Sequence, residues 1–261
     1  CNTTTGCYNI AFGKLALGDG IVTGTNNIAL GCQAAQKLTS GISNVIIGLN
    51  AAAAAAITGY NNIILGKNSL GCLTSGHSNF TGGYRAGKCL TTGDYNIFLG
   101  SDAGRGDGAA VTGDHNFGGG YKAGYSLTSG ASNVLIGRNA GDAVTTGSNH
   151  VAIGYNALSA EDTLSGAVAI GYNALALQNG GDSNTAIGCG AGAAVVTGAE
   201  NVFIGKEAGE NITGSNNTII GAQAMSSASS GASNVAIGQD AGRNNTGDNN
   251  VIIGATAGDA S

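Results

Sequence analysis

The chain has 261 residues, including 48 glycines but no proline or tryptophan, and only 10% of its residues are charged. A net charge of −5 leaves it without the clustered lysine and arginine that nucleic acid requires. No apolar run approaches the ~18 residues of a membrane span, and 42% hydrophobic content with a strict period argues against a solvated glycine-rich linker.

Read from its start, the sequence is one phrase repeated fifteen times. An asparagine anchors the phrase at Asn9, Asn27, Asn44, Asn62, Asn79, Asn96, Asn116, Asn133, Asn184, Asn201, Asn217, Asn234 and Asn250. Two copies depart, with His150 and Ala167 at the anchor. The step is usually 17 residues, with extremes of 16 and 20. A glycine always stands four residues after the anchor, from Gly13 to Gly254. Three residues further on comes alanine, with Ser69 the one exception. Another glycine precedes the anchor by three residues, except where Leu164 replaces it. Such periodicity defines a repeat architecture, and the expectation is one array over residues 1–261.

The three residues after each anchor read Ile28-Ala29-Leu30, Val45-Ile46-Ile47, Ile97-Phe98-Leu99 and, later, Val202-Phe203-Ile204. Short β-branched and aromatic runs between glycines predict strands, and glycine this frequent excludes long helices. One repeat then makes one flattened coil of two short strands, with successive coils stacked in parallel at ~4.8 Å. The predicted fold is all-β: a parallel β-solenoid or β-roll of about fifteen coils of ~17 residues, self-associated along its length. Side chains alternate along a strand. With the first and third residues filling the coil, the middle one lies outside. That position is apolar at Ile46, Ile64, Phe98, Leu135, Phe203 and Ile252. These residues are therefore expected to form a self-association stripe, because an exposed apolar row invites cover.

The in-register anchors, among them Asn27, Asn44, Asn62, Asn133, Asn201, Asn234 and Asn250, are expected to form a structural amide ladder along the axis. A row of ligand-binding amides is the less economical reading. The stretch holding His150, Leu164, Ala167 and the acidic pair Glu161-Asp162 is the least regular. Two copies, "NFTGG" at 79–83 and "NFGGG" at 116–120, exchange a large residue for an absent one in a fixed volume. Cys72 and Cys89 each lie seven residues before their anchors, which places them on adjacent coils. Either a disulfide or a stack of two thiols fits that placement. Cys1 stands at the start of the chain as given, as a processed terminus, a lipid-modified cysteine or the first residue of a segment.

Candidate chemistry is thin. His77, His115 and His150 fall at different phases, and no metal-ligand or phosphate-loop spacing is present. No catalytic residue, cofactor or metal is expected. Asn-x-Ser/Thr sequons occur at Asn2, Asn79, Asn211, Asn216 and Asn244. Glu161-Asp162 and Asp102/Asp107 are the only carboxylate pairs offered to a polysaccharide-cleaving site.

The Asn-(Val/Thr)-Ala-Ile-Gly phrase, as in "NVAIG" at 234–238 and "NTAIG" at 184–188, resembles the head repeats of trimeric autotransporter adhesins. Related repeats occur in phage tail-fibre proteins. The resemblance covers all fifteen copies but about half of each, and the adhesin repeat is shorter. It implies a left-handed parallel β-roll assembled as a trimer, with the Ala-Ile strand near the threefold axis. The functional expectation is a structural protein of an extracellular, cell-surface or virion fibre with a repetitive, adhesive surface toward glycans or a host surface. A phage tail-fibre shaft is the close variant. An ice-binding solenoid is the rival, because Thr-Gly recurs at one phase. Joining Ser261 to a following Cys1 would keep the repeat phase, so head-to-tail stacking is also expected.

Overall fold

A computed structural model describes residues 5–19 and 21–259. Cys1 and the sequon at Asn2 lie outside the described residues. The chain divides into two compact units, Cys1–Asn133 and Val134–Ser261. The first holds β1 (Ile10–Phe12), β2 (Ile28–Leu30), β3 (Val45–Ile47), β4 (Ile63–Leu65), β5 (Phe80–Gly82), β6 (Ile97–Leu99) and β7 (Phe117–Gly119). The second holds β8 (Val134–Ile136), β9 (Val151–Ile153), β10 (Val168–Ile170), β11 (Thr185–Ile187), β12 (Val202–Ile204), β13 (Thr218–Ile220), β14 (Val235–Ile237) and β15 (Val251–Ile253).

Both units are parallel β-solenoids, and the described residues contain no helix. Within each, every strand pairs in register with the strand of the next coil. Ile46 lies between Ala29 and Ile64 in the first unit, and Phe203 between Ala186 and Ile219 in the second. Among the described residues the second strand expected in each coil is absent as such. Its place is marked by isolated parallel bridges, Leu38 to Ile57 and Leu90 to Val111.

The turn after the strand explains the invariant glycine. Gly48 has φ 143°, and an added Cβ would sit 2.5 Å from the Gly66 carbonyl oxygen of the next coil. Neither condition tolerates a side chain. Two left-handed residues follow, Asn50 (φ 55°) and Ala52 (φ 47°), on either side of the buried Ala51. The same alternation recurs as Asn173 and Leu175 around Ala174. Each such turn folds the chain back over the strand it has just left.

That turn decides which face of the strand is interior, and it overturns the expected assignment. The middle residues point into the coil. Ile46, Ile64, Phe98, Leu135 and Phe203 are completely buried within the single chain, so they are core and not a self-association stripe. Ile252, on β15, is partly buried. Packing volume confirms the direction. The Phe98 ring occupies the space that a Cβ on Gly104 would enter, at 2.3 Å, and Phe203 does the same to Gly209. Where the middle residue shrinks to Ala152 or Ala169, the residue six positions later is a buried leucine, Leu158 or Leu175. Ser69, the one departure from alanine, hydrogen-bonds Thr81, a polar middle residue, at 2.8 Å.

The anchors stack as a ladder inside one corner. In the first unit, the Asn62 side-chain oxygen accepts from the Asn79 backbone N–H (3.0 Å) and from its side-chain amide (3.1 Å). The Asn62 amide donates to Asn44 Oδ1 (3.0 Å) and to the Gly76 carbonyl (2.9 Å). Equivalent rungs join Asn27 to Asn44 and Asn116 to Asn133. In the second unit they join Asn201 to Asn217, Asn217 to Asn234 and Asn234 to Asn250. Asn62→Ala would leave the Asn79 N–H and the Gly76 carbonyl buried without these partners. A buried polar group left unmade costs about 1–3 kcal/mol. Denaturant unfolding should therefore show a loss of about 3 kcal/mol, and an unshifted midpoint would mean that the rung adds no net stability.

Candidate interaction surface

With the middle residue inside, alternation turns the first and third strand residues outward. They are apolar in most copies, the exceptions being Gly82, Gly119, Thr185 and Thr218. In the first unit Ile47, Ile63 and Ile97 are each more than a third exposed, beside the larger openings at Ile10 and Phe12 of β1. In the second unit Ile187, Ile204 and Ile237 form the same row, continued by Val251 and Ile253 of β15. Tyr84 and Tyr121 in the first unit, and Tyr155 and Tyr172 in the second, follow the turn glycine and extend the face as exposed aromatics. Tyr155 and Tyr172 stack with centroids 5.4 Å apart. The two Phe-for-Gly copies belong to this outer face. A Cβ on Gly119 would meet only the Phe117 ring, at 3.7 Å, so the exchange of volumes occurs at the surface.

A second feature of the first unit is an aromatic column that sequence spacing did not bring together. Tyr60 stacks on His77 at 4.5 Å, His77 meets Tyr95 edge-on at 5.1 Å, and Tyr95 stacks on His115 at 5.0 Å. His77 also pairs with Asp94, Nε2 to Oδ2, at 2.9 Å. The available signal was an aromatic or histidine one or two residues before four consecutive anchors. Tyrosine separates the two histidines. Among the described residues no three His, Cys, Asp or Glu side chains are grouped to hold a metal.

Carboxylates are held by structural partners. Asp102 is nearly buried and takes both arms of Arg85, Nε at 2.8 Å and Nη2 at 2.9 Å. That hydrogen bond raises the Arg85 pKa above its ordinary value. Tyr125 donates to Asp107 at 2.8 Å and accepts from Arg105. Burial first, and the Asp107 contact second, push its hydroxyl pKa upward. Glu161 is sealed inside the second unit. The Asn79 sequon sits in the ladder with its amide spent on Asn62 and Gly93, whereas Asn216 and Asn244 lie toward solvent.

Cys72 and Cys89 are neighbours on adjacent coils and are free thiols, not a disulfide. Burial raises the Cys72 pKa, and the Cys89 thiol adds to the effect, so it is a poor nucleophile at neutral pH. Each unit carries a shallow hollow at the same repeat phase. One of about 280 Å³ is lined by Asn50, Asn68, Ala53, Ala54 and Lys88. The other, of about 410 Å³, is lined by Asn156, Asn173, Ala176, Ala193 and Glu210.

Threonines two residues before the pre-anchor glycine bond to backbone. Thr39 donates to the Ile57 carbonyl at 3.1 Å, Thr74 to Thr91 at 3.0 Å, and Thr91 to Val111 at 3.2 Å. Their hydroxyl protons close one coil onto the next. No helix among the described residues is long and apolar enough to cross a membrane. Comparison with protein-family models, with curated proteins and with solved structures gives no match for this chain.

Proposed function

We propose that this is a structural protein of an extracellular or virion fibre that assembles laterally through the outward face of its strands. The observation that carries the reading is the row of exposed isoleucines at the first and third strand positions of both units, among them Ile47, Ile63 and Ile97 in the first and Ile187, Ile204 and Ile237 in the second. An apolar face repeated on coil after coil is an aggregation liability unless another surface covers it. A second copy offers a self-complementary row with the same ~4.8 Å spacing. The resemblance to adhesin head repeats supports three copies around one axis, with an adhesive outer surface toward glycans or a host surface. It applies equally to a phage tail-fibre shaft.

The threonine pattern ranks ice binding lower. An ice-binding row needs a regular threonine array on a flat face, whereas the position before the pre-anchor glycine alternates Thr23, Thr58 and Thr92 with Ser40, Ser75 and Ser129. Thermal hysteresis in a solution of the purified chain would reverse this order.

Sedimentation and electron microscopy of the intact chain test the main reading. The expected result is a defined multimer with the strand faces at its centre. A monomer at micromolar concentration would refute lateral assembly. Head-to-tail growth would appear as filaments lengthening with concentration.

A further inference from the structure

In the second unit the amide ladder is interrupted, and the replacement has a property that asparagine lacks. At an ordinary rung, such as Asn44 in the first unit, one side chain performs two tasks. Its Oδ1 accepts the N–H of the next anchor, Asn62, at 3.0 Å, and its Nδ2 donates to the Gly59 carbonyl at 2.9 Å. His150 reproduces both. Its Nδ1 accepts the Ala167 N–H at 3.2 Å, and its Nε2 faces the Leu164 carbonyl at 2.7 Å. A carbonyl opposite Nε2 requires a proton there, and an N–H opposite Nδ1 requires a lone pair. The pair of contacts therefore fixes the neutral Nε2–H tautomer.

The next rung is missing altogether, because Ala167 has no side-chain amide. Its place is taken from a neighbouring corner that elsewhere holds Val144 or Val195. There Glu161 and Gln178 are both completely buried. Gln178 accepts from Asn184 at 3.0 Å and donates to Gly181 at 2.7 Å and to Glu161 at 3.2 Å. Glu161 accepts the N–H groups of Leu164 at 2.9 Å and Asp162 at 3.1 Å. All three partners donate, so both carboxylate oxygens act as acceptors.

We propose that His150 is an acid-sensitive rung, at which protonation opens the stack between β9 and β10 while the rungs made of asparagine stay closed. Protonation places a second N–H on Nδ1, facing the Ala167 N–H. The two donors repel, and the Ala167 amide loses its acceptor. Asparagine cannot titrate, so no other rung shares this response. Two acidic groups act on the imidazole, Glu161 before β10 and Asp182 before β11, and both favour the cation. Burial opposes them and is the larger influence, so the His150 pKa lies below its ordinary value. The sign follows. The closed joint is fully stable above about pH 6.5, where the opened form is also neutral. It weakens as pH falls below that, because only the opened form then takes up the proton.

Hydrogen exchange of the intact chain tests this at the Ala167 amide, corrected for intrinsic exchange. Protection should fall by about tenfold for each pH unit below about 6.5, until the folded form also protonates. His150→Asn, which restores the repeat residue, should keep the amide protected and remove that pH dependence. Equal pH dependence in both proteins would overturn the proposal. Imidazole nitrogen shifts in the unaltered chain give a second, independent reading. A neutral Nδ1–H tautomer, or protonation without loss of Ala167 protection, would defeat it even if the variant failed to fold.

Discussion

Phe203→Ala should destabilise the second unit by about 3–5 kcal/mol, the range for removing a buried aromatic side chain. The ring is fully buried and reaches the positions where Cβ atoms on Gly192 and Gly209 would lie, 2.8 Å and 2.3 Å away. Deleting it empties both hollows, and backbones stacked at ~4.8 Å cannot collapse to refill them. Two other coils of the same unit show how to repair the loss. Ala152 is paired with Leu158, and Ala169 with Leu175, each leucine in the left-handed conformation. Phe203→Ala combined with Gly209→Leu copies that arrangement. The added leucine costs about 1 kcal/mol of backbone strain at φ +57° and restores apolar contact worth more than that. The double variant should therefore unfold at higher denaturant than Phe203→Ala alone. If it is less stable than the single variant, the two positions do not share one volume.

Ile204→Asp with Ile237→Asp should have the opposite profile, with assembly lost and the coil retained. Both side chains face outward and are more than a third exposed. A carboxylate at either position keeps access to water in the single chain. The sites lie two coils apart, with Ile220 between them in register, so the new charges are not cross-strand neighbours. The cost to the coil is the cross-strand apolar contact, about 0.2–1 kcal/mol per pair. In a lateral assembly the same carboxylates would enter an apolar contact, at several kcal/mol each. Circular dichroism should stay essentially unchanged while sedimentation falls to the single chain. An undisturbed multimer would show that the outward strand face is not the interface. A loss of β-structure would show that this face belongs to the fold of a single coil.

Much of the solenoid was written in the spacing. A glycine four residues after every anchor marked a turn that no side chain can occupy, and three apolar residues before it marked the strand. The nearly constant step placed Asn27, Asn44 and Asn62 above one another, where amides meet amides and turn carbonyls. The stretch carrying His150, Glu161 and Ala167 was visible as the least regular text. Its repair was not, because Gln178 comes from a different phase of the repeat and reaches Asn184 only when the coil has closed.

The inward face of the strand was not legible from alternation. All three residues are apolar, so a period of two has no polar partner against which to set its direction. A subtler signal was present in part of the array at a separation of six: large before glycine at Phe98–Gly104, Leu135–Gly141 and Phe203–Gly209, and small before leucine at Ala152–Leu158 and Ala169–Leu175. Ile64–Leu70 and Ala186–Gly192 do not follow it. Sequence by itself determined the coil, its length and its stacking, because those follow from local backbone freedom and a fixed repeat. Only the tertiary structure decided which side of each strand is core and which is left for a partner, because that depends on the sense in which two left-handed turn residues curl the chain back on itself.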